Sequence, residues 1–330
     1  PSLICFDEIE SFLSKRSSDS KSYERNIITT FPITVEGTAS DEGSGVNTEE
    51  GVFKLIQGST TVESGKLNIQ ANGIWNGSIV GKNLTEGEYE LQVTINDKAG
   101  YDDTSEVTVE YDKALPQLIV TEPSGNSVIT NENVVISGKS WDTYGLKENG
   151  SVVITLKDAN ANIVRSFTPE VAKTTSEPTD NNWEETIEVG EGKSIETDGK
   201  YTVEIKAVDK VGKESLSQVY ELTIDRVNPE INTSIVDETK VNDSNKGSDG
   251  TNTVYNVTQI PIKVVANDEG GSGLALVSYS VTPTVENSYN ALVLKNGEWT
   301  GYVTCDWQGT QNISVKAEDN AGNSLTKTIP

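Results

Sequence analysis

One four-residue motif, Asp-x-(Ala/Val)-Gly, occurs three times at nearly constant spacing. Asp97-Lys98-Ala99-Gly100, Asp209-Lys210-Val211-Gly212 and Asp319-Asn320-Ala321-Gly322 lie 112 and 110 residues apart. Ten residues before each aspartate stands a glycine: Gly87, Gly199 and Gly309. Between glycine and aspartate runs a period-2 apolar pattern, the mark of a half-buried strand. It reads Tyr89, Leu91, Val93, Ile95 in the first copy and Tyr201, Val203, Ile205, Ala207 in the second; the third has Gln311, Ile313, Val315, Ala317. Upstream lie "WNGSI" from Trp75, "WEETI" from Trp183 and "WTGYV" from Trp299. Each copy opens on a proline followed by strand formers, at Pro1, Pro116 and Pro229, and the last two are preceded by linkers carrying Asp112 and Asp225. An acidic, glycine-bearing loop recurs after the second strand: "ASDEGSGV" with Asp41, "KSWDTYGL" with Asp142, "ANDEGGSGL" with Asp268. A shared order of so many marks means one supersecondary plan used three times.

The repeat sets the domain plan: 1–115 (with an insert at about 6–28), 116–228 and 229–330. Short alternating strands with turn signals every ~8–12 residues predict an antiparallel β-sandwich in each copy. Helical periodicity is confined to "FDEIESFLSKR", where Phe6, Ile9, Phe12 and Leu13 can share a face. That stretch falls where the third copy carries the polar insert "VDETKVNDSNKGSDGTN", and both read as loop excursions.

Charge narrows the function classes. With 26 basic and 51 acidic residues the net charge is −25, which predicts no nucleic-acid binding, because phosphates are held by Lys and Arg. The same charge disfavours an anionic membrane face and suits a surface that repels its own copies or gathers cations. There is no histidine, so the usual general base and the usual zinc ligand are missing. The two cysteines, Cys5 and Cys305, form no Cys-x-x-Cys pattern, and Cys5 reads as a small apolar strand residue on the same face as Leu3. No run of 18 apolar residues predicts a membrane span. The chain opens at Pro1 without a charged-then-apolar leader and reads as a piece of a longer polypeptide. Its acids are spread over loops of small units, so the expectation is no enzyme.

The order of marks (linker Asp, Pro, strand, Asp-rich loop, Trp, Gly-x-Tyr strand, Asp-x-Ala-Gly hairpin) resembles the bacterial immunoglobulin-like repeats of cell-surface proteins and adhesins. The resemblance spans essentially the whole chain. It implies an all-β fold of three tandem immunoglobulin-like antiparallel β-sandwich domains in an elongated array. It also implies an extracellular, surface-bound setting and non-catalytic work as a monomeric rod: a stalk or adhesin meeting a protein or glycan of host or matrix. The alternative is an accessory region, carbohydrate-binding or spacer, of a surface enzyme whose catalytic domain lies elsewhere. Fold alone does not choose between these roles.

Two readings of the aspartate motif follow. As a turn it needs no ligand: Asp suits the first position, Gly the fourth, and the carboxylate can accept from N–H groups two residues on. The sandwich topology adds the second reading. In such a fold the loop after the second strand and the last hairpin share an end, and the incoming linker arrives there too. Asp112, Asp142 and Asp209 should then converge, as should Asp225, Asp268 and Asp319. Three unpaired carboxylates repel one another, and calcium takes six to eight oxygens, with Gly145 and Gly270 able to add carbonyls. These six aspartates are the candidate Ca2+ ligands, with Lys98 and Lys210 as local counter-charges; no other cofactor is indicated. Trp75, Trp183 and Trp299 should be core. Trp141, Tyr144 and Trp307 lie in loop sequence, the first two as candidate binding aromatics or junction cover. Tyr89 and Tyr201 match the tyrosine-corner position, which Gln311 abandons.

Overall fold

The computed structural model describes residues 4–7, 26–28, 32–173, 181–250, 253–282, 289–305, 309 and 311–329. The helical candidate lies outside these residues apart from Phe6 and Asp7, which close a strand; Trp307 lies outside them too, as do the side chains of Leu3 and Cys5. By contacts the chain divides into two compact units. The first holds Pro1–Pro116 together with Asp142–Glu148 and Val208–Glu214; the second holds Gln117–Trp141, Asn149–Ala207 and Ser215–Pro330. Among the described residues no helix is long and apolar enough to cross a membrane.

In the first unit the strands are β1 (Ile4–Asp7), β2 (Asn26–Ile28), β3 (Ile33–Asp41), β4 (Val46–Gln57), β5 (Thr60–Lys66), β6 (Asn68–Ile69), β7 (Ile74–Ile79), β8 (Gly87–Asp97) and β9 (Asp102–Tyr111). They form two sheets, β1-β3-β7-β6 and β2-β9-β8-β4-β5. Every pairing is antiparallel except β2 with β9. With the edge additions β2 and β5 set aside, the order is that of an immunoglobulin sandwich: of the remaining strands the first, second, fifth and fourth (β1, β3, β7, β6) share one sheet and the rest the other. Alternation decides which face is inside: Tyr89, Leu91, Val93 and Ile95 of β8 are buried against Phe53, Leu55, Trp75 and Ile79.

The second unit repeats the plan. Strands β10 (Gln117–Glu122), β11 (Ser127–Thr130), β12 (Val134–Trp141), β13 (Val152–Asp158), β14 (Ile163–Phe167), β15 (Val171–Lys173), β16 (Asn181–Ile187), β17 (Gly199–Ala207) and β18 (Gln218–Ile224) make sheets β10-β12-β16-β15 and β11-β18-β17-β13-β14. They enclose a core of their own around Ile154, Leu156, Trp183 and Ile205. Next come β19 (Glu230–Val236), β20 (Lys246–Ser248), β21 (Thr253–Tyr255), β22 (Gln259–Asn267), β23 (Leu274–Thr282), β24 (Asn290–Ala291), β25 (Val293–Lys295), β26 (Glu298–Thr304), β27 (Asn312–Asp319) and β28 (Ser324–Thr328). Sheets β19-β22-β26-β25 and β24-β23-β27-β28 enclose a third core. The polar insert of this copy folds into two 3-10 turns, Glu238–Lys240 and Asp243–Asn245, and the hairpin β20-β21.

The three equivalent tryptophans differ in a way the sequence expectation did not include. Trp75 and Trp183 are buried, whereas Trp299 is half-buried at the edge of its core. Across the strand pair, Trp75 faces Gly37 and Trp183 faces Gly138, but Trp299 faces Val264. A Cβ on Gly138 would lie 2.6 Å from the Trp183 ring, so the glycine is what lets the indole lie flat on the strand. Val264 fills that place with its own side chain and keeps Trp299 from it.

Both tyrosine corners form. Tyr89 donates its hydroxyl hydrogen to the Thr85 carbonyl at 2.6 Å, and Tyr201 to that of Thr197 at 2.8 Å. Replacing Tyr201 with Phe removes one such bond and strands a carbonyl, so chemical denaturation should show a loss of about 0.5–1.5 kcal/mol. An unchanged midpoint would show the corner contributes nothing.

Candidate metal centres

The turns are built as their residues require. In each, the glycine N–H donates to the aspartate carbonyl three residues back: Gly100 to Asp97 at 3.3 Å, Gly212 to Asp209 at 3.1 Å and Gly322 to Asp319 at 3.4 Å. The glycines take φ values of +90°, +88° and +92°, where a Cβ would be strained. Asp209 Oδ1 accepts from the N–H groups of Val211 (2.9 Å) and Lys213 (2.8 Å). Asp319 Oδ1 accepts likewise from Ala321 (2.9 Å) and Asn323 (2.8 Å), and Asp97 Oδ1 from Tyr101 (2.9 Å).

Each turn is also tied to the loop after the second strand. Lys98 N–H donates to the Gly45 carbonyl at 3.0 Å, Lys210 to Gly145 at 3.1 Å and Asn320 to Gly273 at 2.9 Å. Through this tie the loop and hairpin aspartates become neighbours, and the linker supplies a third. Two groups result. In the first unit, Asp112, Asp142 and Asp209 each place a carboxylate oxygen within 4.8 Å of the others, and all three are buried. In the second unit, Asp225, Asp268 and Asp319 do the same, with Asp268 half-buried. All six candidate ligands are thus brought together three by three.

The environments of the two groups differ. In the first, Asp142 Oδ1 accepts the Tyr144 N–H at 2.8 Å. Asp209 has no exposed surface, and its Oδ2 accepts no hydrogen bond. Lys213 extends its ammonium to the linker, donating to the carbonyls of Asp112 (2.7 Å) and Ala114 (3.0 Å) and pairing with Asp112 Oδ1 at 3.2 Å. Burial pushes the Asp112 carboxyl above its usual range in spite of that lysine. Burial also raises Asp142, against the pull of the Tyr144 N–H, and the charges of Asp112 and Asp209 raise it further. In the second group, Asp225 Oδ2 accepts from Ser272 N–H and Asp268 Oδ2 from Gly273 N–H, both at 2.7 Å. Asn323 Nδ2 donates to Asp319 Oδ2 (2.8 Å) and to the Asp225 carbonyl (2.9 Å). A Cβ at Gly271 would come 2.6 Å from both Asp268 oxygens, so any larger residue there would push the carboxylate out of its present place.

The donor sets suit a hard cation. Two ligands on opposite sides of an ion held at about 2.4 Å lie about 4.8 Å apart, which fits three oxygens at this spacing on one calcium. The bare Asp209 Oδ2 is a buried acceptor that such an ion would satisfy. Of the two carbonyls expected to help, that of Gly145 already accepts the Lys210 N–H; Gly270 sits in the Asp268 loop at φ +82°. Lys98 and Lys210 are exposed. The ammonium that reaches the carboxylates belongs to Lys213, which sequence reasoning overlooked. Its signal was position: four residues after the turn aspartate stand Tyr101, Lys213 and Asn323, the residues whose N–H groups close the turns. The first sandwich has Asp41 and Asp97 at the matching loops, with Asp41 Oδ2 accepting the Gly45 N–H at 2.6 Å.

Trp141 closes β12, paired with Gln117, and is a strand residue instead of the expected loop residue. It belongs to the second unit, and half-buried Tyr144 belongs to the first. Burial raises the Tyr144 phenol, and the charges of Glu86, Glu110 and Asp112 raise it further.

No family model matches the chain, and no curated protein matches it. Among solved structures it is similar to the fibronectin(III)-like modules of Clostridium thermocellum CbhA, at 15% identity over 67% of this chain and 94% of that one, with a TM-score of 0.33. It is also similar to a tetra-tandem repeat from the extending region of a large adhesion protein, at 20% identity over 99% and 72%, TM-score 0.31. A third is a bacterial ice-binding adhesin, at 17% identity over 90% and 88%, TM-score 0.33.

Proposed function

We propose that this chain is a non-catalytic structural and interaction segment of a bacterial surface or secreted protein, made of three immunoglobulin-like domains spanning 1–115, 116–228 and 229–330. It extends or presents a contact with a protein or glycan of host or matrix. Calcium at Asp112, Asp142, Asp209 and at Asp225, Asp268, Asp319 fixes each linker to the loops it meets. One observation carries the reading: two linkers each deliver a buried aspartate to a loop and a hairpin that present one more apiece. Repeated at equivalent places, this arrangement serves to fasten a linker to the loop and hairpin beside it. The sequence has no histidine to act as general base, and among the described residues Oδ1 of Asp209 and of Asp319 is each held by two backbone N–H groups, a turn-forming and not a catalytic setting.

Thermal melts test it. The melting temperature should fall on adding EDTA and recover when calcium is restored in excess, because an ion bound only by the folded state stabilises that state. A melt that stays flat from chelator to millimolar calcium overturns the calcium reading.

A further inference from the structure

The two aspartate groups share one sequence plan, and one of their differences lies four residues after the turn aspartate. There the second unit has Asn323, whose amide bridges Asp319 Oδ2 and the Asp225 carbonyl. The first unit has Lys213, whose ammonium makes the corresponding bond to the Asp112 carbonyl and adds an ion pair to Asp112 Oδ1. Both side chains hold the linker. Only one of them brings a charge.

We infer that Lys213 is an internal cation that competes with a divalent ion at Asp112, Asp142 and Asp209, so that this site binds calcium more weakly than the one at Asp225, Asp268 and Asp319. The inference rests on the calcium reading above. Three carboxylates around a divalent ion leave one net negative charge when the neighbour is Asn323, and none when it is Lys213. Lys213 is also tethered at both ends: its backbone N–H donates to Asp209 Oδ1 at 2.8 Å while its ammonium holds two linker carbonyls. It therefore keeps linker and hairpin joined without any ion, a role the neutral amide fills only by hydrogen bonding. Yet Lys213 does not satisfy the group fully. Asp209 Oδ2, buried with no hydrogen-bond partner, is the oxygen that Asn323 covers in the other group, and it is left open to an ion. The first site is thus pre-closed by a lysine and still receptive, and the second has a neutral amide in the lysine's place.

Calcium titration of the full 330-residue chain by isothermal calorimetry separates the possibilities. The wild-type chain should show a tight and a weak class of site. Lys213→Asn should tighten the weak class by about tenfold or more, the scale of removing a like charge a few ångström from a divalent ion in a partly screened site, and leave the tight class unchanged. Asn323→Lys should weaken the tight class by a similar factor. Lys213→Gln is the second arm at the same position, should the asparagine variant fold poorly. Two equal classes in the wild type, or a weak class that neither Lys213 variant moves, overturns the inference while leaving calcium binding intact. Absence of calcium binding in every form overturns the calcium reading, and this inference with it.

Discussion

Trp183→Ala will destabilise the second sandwich by about 3–5 kcal/mol, the range for removing a large buried aromatic. The side chain is 3% exposed and belongs to the core with Ile154, Leu156 and Ile205. The cavity left behind has little means of closing, since Gly138 across the strand pair has no side chain to swing into it. Its indole nitrogen is buried without a hydrogen-bond partner, so the residue contributes apolar volume and no polar bond. Trp183→Phe should therefore cost much less, about 1–2 kcal/mol, because it keeps most of that volume and removes an unpaired donor. Urea denaturation of both variants measures the difference. Equal losses for Ala and Phe would mean that the N–H and not the volume is what the fold uses, and the packing account would fail.

That prediction also shows what the sequence could and could not tell. Alternating apolar residues and the Asp-x-Ala-Gly signature made strands such as β8, β17 and β27 and their hairpins readable, because strand period and turn chemistry are local properties. The convergence of Asp112, Asp142 and Asp209 was readable one step later, since immunoglobulin topology places those loops at one end. Register was not readable. That Gly37 and Gly138 lie opposite tryptophans while Val264 lies opposite Trp299 depends on which residues pair across strands, and three similar "Trp-x-x-x-apolar" strings do not carry it. The parallel additions of β2 to β9 and β11 to β18 were hidden for the same reason. Lys213 escaped notice because Lys98 and Lys210 sit inside the turn motif and Lys213 sits just after it. Lys98 and Lys210 are exposed, whereas the first residue after the second turn, Lys213, reaches the linker carbonyls of Asp112 and Ala114.

Asp268→Asn will act in opposite directions with and without calcium. In chelator at pH 7 the variant should melt above the wild type. Burial pushes the Asp268 carboxyl above its ordinary value of 3.8; the Gly273 N–H opposes this, and the charges of Asp225 and Asp319 add to it. A carboxyl whose folded pKa is raised holds its proton more firmly in the folded state than in the unfolded one. Its contribution is favourable below the unfolded value and is lost as pH rises through the folded one, so at neutral pH the ion-free fold carries the cost of a partly buried charge, to which repulsion from Asp225 and Asp319 adds. Asparagine keeps an oxygen for the Gly273 N–H, now 2.7 Å from Asp268 Oδ2, and removes the charge, so the melting temperature in chelator should rise. Saturating calcium reverses the order. An ion at a hundred times its dissociation constant adds about 2.7 kcal/mol to the wild type, and the variant forfeits most of that because a neutral amide is a poorer ligand for a hard cation. The crossing of the two melting curves between chelator and calcium is the signature. Acid gives the same answer by another route: the calcium-dependent gain of the wild type should shrink as pH falls toward the raised range of Asp268, where protons and calcium compete for one carboxylate. A variant that melts lower than the wild type in chelator as well would show that Asp268 serves the fold through its hydrogen bond alone, with no repulsion for an ion to relieve.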